Sequence, residues 1–111
     1  MDAPLNKDGK LKCSIEYTLQ KIGGKWKTVI LWHLGEDGTL RYNELRSLLL
    51  GVTHKVLTKQ LKELEEDGFI SRKAYNTVPP KVEYSMTELG ATLMPILKQM
   101  HVWGTEHWDL V

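Results

Sequence analysis

Apolar positions recur along the chain at spacings that predict a succession of short elements. Ile15, Leu19 and Ile22 follow Ser14, a good N-cap residue, at helical intervals. Gly23-Gly24 predicts the end of that helix. A second helix is expected over Lys25–Leu34, with Trp26, Val29, Ile30 and Leu34 on one stripe and Gly35 just past its end. It reads as the central buried helix. Glu36-Asp37-Gly38 is a turn, and Thr39-Leu40-Arg41 suits one short strand. Tyr42–Leu50 reads as a short helix with Leu45, Leu48 and Leu49 on one face, ended by Gly51. Thr53 caps a longer helix, Lys55–Asp67, terminated by Gly68.

The period then changes. Phe69–Thr77 and Val82–Met86 read as two strands, the second supported by the alternation of Val82, Tyr84 and Met86. Pro79-Pro80 stiffens the hairpin tip and gives it no ladder donors. Thr87 caps a last helix running to Trp108, with Glu88 in its first turn. Leu89, Leu93, Ile96, Met100 and Trp103 form its apolar stripe, and Pro95 is expected to bend it or leave one carbonyl unpaired. The Leu50-Gly51-Val52 link is the length a helix-turn-helix needs, and the hairpin that follows is a wing. The expected fold is mainly α with a small β-hairpin (α+β): a winged helix-turn-helix that dimerises through its terminal helices. Residues 1–12 are polar and contain Gly and Pro, so a flexible arm is expected there, with residues 13–111 as one domain.

Length and composition narrow the function. One hundred and eleven residues suit a single domain whose core is adequate but not large, which makes a partner subunit plausible. The last helix carries more apolar surface than a monomer of this size covers easily. No apolar run approaches the roughly 20 residues of a membrane span, and the first twelve residues lack the apolar core of a signal peptide. Cys13 is the one cysteine, so no internal disulfide forms, and a reducing cytosol suits the chain. The net charge of +1 hides an asymmetry. Residues 1–60 hold ten Lys/Arg against six Asp/Glu, whereas residues 61–111 hold five against eight. A basic half favours an anionic partner, although chance clustering on solvated faces gives the same count.

The Thr53–Asp67 helix separates these readings. On a helical wheel Leu57, Leu61 and Leu64 face the core, while Lys55, Lys59 and Lys62 gather on the opposite side, flanked by Thr58 and His54. No acid occurs from Thr53 to Lys62, and Glu63, Glu65, Glu66 and Asp67 crowd the far end. Cations in the first half and anions in the last turn oppose the helix dipole, so this order is expected to serve something other than folding. An external anion explains it, since a lysine-bearing helix N-terminus suits phosphates and a major groove. The acidic end is then expected to discourage approach from the wrong side. Arg41-Tyr42-Asn43 offers groups that position a phosphate; equally, Asn43 is an ordinary N-cap and Tyr42 a partly buried core residue. Lys81, near the hairpin tip, fits a wing laid on a backbone or minor groove, or is a plain turn lysine.

Other chemistry is not encoded. His33, His54, His101 and His107 are too scattered for a metal site, and His101 and His107 miss the i, i+4 spacing of paired helix ligands. There is no Gly-rich phosphate loop, no nucleophile–base pair and no apolar carboxylate pair. The sequence therefore predicts a non-enzyme without metal or cofactor. The four tryptophans fall at helical spacing and suit core and dimer seam more than a ligand cage. Cys13 is the reactive candidate. It borders a helix N-terminus with Lys10 and Lys12 near in sequence, surroundings that favour thiolate; the alternative is a small apolar packing residue.

Taken together, Cys13, Ile22-Gly-Gly-Lys-Trp26, Arg41-Tyr-Asn-Glu-Leu45, Val56-Leu-Thr-Lys-Gln-Leu61, Leu64-Glu-Glu-Asp-Gly68, Val78-Pro-Pro-Lys-Val-Glu-Tyr-Ser85 and Thr87-Glu-Leu-Gly90 resemble the HxlR-type transcriptional regulators, a winged-helix group related to the MarR family. The resemblance covers roughly residues 13–108. It implies a homodimeric, cytoplasmic regulator of double-stranded DNA, repressor or activator, with Thr53–Asp67 as recognition helix and the terminal helices pairing subunits. It also implies that the cysteine at this place senses oxidants or electrophiles in some members. His54 departs from the pattern, which often has proline there. Two other readings stay open: a winged helix that binds protein, disfavoured by the acid-free basic face, and a regulator switched by a small aromatic ligand at the dimer seam.

Overall fold

In the computed structural model, which describes residues 13–110, the elements run α1 (Ser14–Ile22), α2 (Lys27–Asp37), β1 (Leu40–Arg41), α3 (Tyr42–Leu48), α4 (His54–Glu66), β2 (Ile70–Tyr75), β3 (Lys81–Met86), α5 (Glu88–Ala91), α6 (Met94–His107) and a closing 3-10 turn (Trp108–Leu110). The expected arm over residues 1–12, with Lys10 and Lys12, lies outside the described residues. This is a winged helix-turn-helix, mostly helical, with a small antiparallel sheet in the order β1-β3-β2.

The core follows the apolar periodicity. Ile30, Leu31 and Leu34 of α2, Leu45 of α3 and Leu57, Leu61 and Leu64 of α4 are fully buried, with Leu49, Val52, Ile70, Tyr84 and Leu97 closing around them. Thr53 caps α4 as its sequence position predicts: its hydroxyl accepts from the Val56 N–H at 3.1 Å. The turn between α3 and α4 needs a left-handed residue, and Gly51 supplies it at φ 87°. β3 is the central strand. It meets β2 from Ile70↔Met86 to Tyr75↔Lys81, and β1 through Leu40↔Tyr84 and Arg41↔Glu83. Thus the strand before the helix-turn-helix is sewn to the wing that follows it, and the hairpin becomes a three-stranded sheet.

Several local expectations are corrected. Ser14 is the first residue of α1 and not its cap; Cys13 occupies the cap, its carbonyl accepting from the Tyr17 N–H at 3.0 Å. Helix α2 runs through Gly35, where Met94 of α6 packs so closely that a Cβ would collide with it; it stops at Gly38, whose φ is 79°. α3 ends at Leu48, which leaves Leu48 exposed while Leu49 turns inward. Asn43 is not a cap: Arg41 leaves β1 in extended conformation, and its N–H donates to the Glu44 carboxylate at 2.8 Å. The terminal helix is two helices. Thr87 caps α5, its hydroxyl accepting from the Gly90 N–H at 3.1 Å, and the chain turns at Thr92-Leu93. Pro95 then sits in the first turn of α6, where its missing N–H costs nothing.

Candidate nucleic-acid interface

The fold brings the sequence-selected residues into two adjoining groups. One is the outer face of α4, where Thr53, His54, Lys55, Thr58, Lys59 and Lys62 are all exposed opposite the buried leucine stripe. The other lines a cleft of about 850 Å³ between the α3 N-terminus and the wing, formed by Arg41, Tyr42, Asn43, Glu44 and residues 77–82, including Lys81. A single hydrogen bond joins the groups. The Tyr42 hydroxyl lies 2.5 Å from Nδ1 of His54, with the rings edge to face at 5.4 Å.

The charges of the two groups differ in freedom. The α4 lysines stand on a surface without acids for two and a half turns. Lys81 is more engaged: its ammonium lies 4.3 Å from the Tyr75 ring centroid and 3.9 Å from the Glu83 carboxylate. Glu83 also stands cross-strand from Arg41 on one side and Lys73 on the other. Glu83 therefore offsets part of the charge of Arg41, Lys73 and Lys81, and the wing base stays basic beside the acid-free face of α4. The very tip, with Val78 fully exposed, carries no charge between Asn76 and Pro80.

The acidic end of α4 has a structural role that spacing did not reveal. Glu63 lies 3.4 Å from Nζ of Lys27, which is only 8% exposed on α2, and Asp67 lies 3.6 Å from Lys21 on α1. The reversed charge order thus does return something to folding, contrary to the sequence expectation. It ties the C-terminal half of the helix to α1 and α2 and leaves the basic half outward. Lys27, Lys21 and the Tyr42–His54 contact were missed because partners on different elements leave no periodic trace.

Cys13 is exposed at the cap of α1. The outer faces of α1 and α6 beside it are apolar: Ile15 is 68% exposed and Trp103 64%, and a cleft of about 370 Å³ between the helices is lined by Ile15, Leu19, Ile22, Ile96 and Met100. The tryptophans do not converge on a cage. Trp32 stacks on His101 and Trp103 on His107, which gives both α6 histidines aromatic partners. Among the described residues no group of three or more His, Cys, Asp or Glu is placed to hold a metal, and no helix is long and apolar enough to cross a membrane.

Known proteins of this shape carry related sequences. The model of the HxlR-like helix-turn-helix family matches residues 21–110. MalR of Fusobacterium mortiferum is 60% identical over 103 residues, 93% of this chain and 97% of that protein. The uncharacterised HTH-type transcriptional regulator YybR of Bacillus subtilis (strain 168) is 49% identical over 106 residues, 96% of this chain and 82% of YybR. Among solved structures, the redox regulator HypR in its oxidised form superposes with a TM-score of 0.81 at 50% identity, covering 86% of this chain and 97% of HypR.

Proposed function

The chain belongs to the HxlR-like helix-turn-helix family and is a transcriptional regulator of that type; on that premise we propose that it works in the cytoplasm as a homodimer that recognises a specific duplex through α4. Residues 13–111 form the DNA-binding and dimerisation unit, with residues 1–12 outside it. The observation that carries this reading is the outward, acid-free face of α4, with Lys55, Lys59 and Lys62 beside a capped N-terminus. Thr53, His54, Lys55, Thr58 and Lys59 meet base edges. Lys55 and Lys59 also reach phosphates, and with Arg41, Asn43, Lys62 and Lys81 they steady the backbone, Lys81 the weakest of them because Tyr75 and Glu83 already hold it.

The apolar outer faces of α1 and α6 pair the subunits and set the two recognition helices about 34 Å apart, one turn of B-DNA. Cys13, exposed at the cap of α1, responds to oxidants or electrophiles; the similarity to a redox regulator supports this role. An adduct or an intersubunit disulfide there shifts α1 within the seam and changes the spacing of the recognition helices.

The test is a salt titration of binding to a duplex selected from a random pool. Wild-type affinity falls steeply with salt, and each of Lys55→Ala and Lys59→Ala flattens the log–log slope by about one per lost phosphate contact. If both variants bind as wild type does at moderate salt, α4 is not the recognition helix.

A further inference from the structure

We infer that Tyr42 is a positioning residue for His54, and that the pair gives the start of α4 a fixed hydrogen-bond donor that selects a purine edge in the major groove. This rests on the DNA-binding reading above and moves Tyr42 from a backbone contact to a group that acts through its neighbour.

Three observations combine. Tyr42 opens α3 and His54 opens α4, and the tight turn at Gly51 folds these helix starts together. Tyr42 packs on the core cluster, so its hydroxyl is anchored, whereas His54 is exposed. The hydroxyl meets Nδ1 at 2.5 Å while the tyrosine ring braces the imidazole edge to face, with an interplanar angle of 73°. An unbraced surface histidine samples several rotamers and two tautomers, and ordering it on binding costs conformational entropy. Here both the ring orientation and one nitrogen are committed in advance, and Nε2 is the nitrogen left for an outside partner.

The chemistry of that outward atom follows. With the tyrosine hydroxyl donating to Nδ1, the proton of a neutral imidazole sits on Nε2. An imidazolium also carries a proton there, in that case with the tyrosine oxygen accepting from Nδ1. In both states Nε2–H donates. In the major groove a donor matches N7 of either purine, O6 of guanine and O4 of thymine, although the C5-methyl beside O4 crowds an imidazole ring, and it opposes the amino group of cytosine. His54 occupies the first position of α4, the end that contacts base edges in a helix-turn-helix. The proposed pair therefore contributes discrimination at one base pair in each half-site, and Tyr42 contributes by holding the ring.

Two experiments test this. In the free protein, two-bond proton–nitrogen NMR correlations report the tautomer of the neutral His54 ring. The Nε2–H tautomer is expected in wild type and a mixture in Tyr42→Phe, which keeps the ring in the core; identical spectra overturn the positioning role without reference to DNA. In the second, duplexes are selected from a random pool by wild type, Tyr42→Phe and His54→Ala, with thermal midpoints and low-salt non-specific affinity compared across all three. Wild type is expected to exclude cytosine and favour a purine at one position per half-site. His54→Ala is expected to lose about tenfold of that preference and Tyr42→Phe part of it, in each case a larger fold-change than in non-specific affinity. Replacing the selected purine by its 7-deaza analogue should weaken wild type and leave His54→Ala indifferent.

If wild type selects no sequence at all, the DNA-binding reading fails. If wild type selects a sequence that both variants read identically, only the Tyr42–His54 proposal fails. A preference for cytosine at that position would mean that Nε2 accepts, and it overturns the donor assignment.

Discussion

The ion pair between Lys27 and Glu63 makes an asymmetric prediction. Lys27 is 8% exposed at the start of α2, whereas the Glu63 side chain is 34% exposed on α4. At their separation of 3.4 Å the gross attraction runs from roughly 1 kcal/mol in bulk water to about 5 kcal/mol at an effective dielectric constant of 20. Desolvation of the ammonium cancels much of it, so the intact pair contributes little net stability. Removing one partner is a different matter. Glu63→Ala strands a buried ammonium; for a fully buried pair the cost is about 3–5 kcal/mol, reduced here to about 2–3 kcal/mol because water reaches the carboxylate side. Lys27→Met keeps most of the apolar stem and strands only a carboxylate that water already touches, at a cost of about 1 kcal/mol or less. Alanine also favours the helix, and loss of an acid from its last turn suits the dipole, so both side effects act against the predicted loss.

The double variant Lys27→Met/Glu63→Ala is therefore expected to be more stable than Glu63→Ala alone by roughly 1–2 kcal/mol, since it no longer buries an unpaired charge. Urea unfolding followed by tryptophan fluorescence measures all four proteins, at one protomer concentration because association contributes to stability. If Lys27→Met costs more than Glu63→Ala, or if the two changes add, the pair does not anchor α4, and Asp67 with Lys21 is left as the tie of its acidic end.

Three further outcomes are expected. Gly90→Ala drives a Cβ into the Phe69 carbonyl, and backbone does not yield as a side chain does; a loss of about 1–3 kcal/mol in urea unfolding is expected, and a loss within error shows that α5 relaxes away from β2. A charge placed in the apolar seam by Trp103→Glu should convert a dimer to a monomer in sedimentation at micromolar concentration; a variant that stays dimeric moves the interface away from α6. With diamide or a quinone present, duplex binding by wild type should change while Cys13→Ser stays as it was; equal responses reduce Cys13 to a packing residue.

What the sequence determined by itself is whatever repeats within one element. The leucine stripe of α4, the Thr53 and Thr87 caps, the order of helices and the wing are legible because helix and strand periods are local and each residue's neighbours lie three, four or two positions away. The basic face of α4 was legible for the same reason. The tertiary structure decided the rest. It carried α2 past Gly35, against which Met94 of α6 packs, and it divided the last helix at Thr92-Leu93 so that Pro95 opens α6. It laid β1 beside β3, which brought Glu83 between Arg41 and Lys73 and close to Lys81, and so offset part of the wing's positive charge. It set Lys27 against Glu63 and Tyr42 against His54. Such partners sit on separate elements, and their meeting depends on how those elements cross, a property of packing that leaves no interval in the chain to be read.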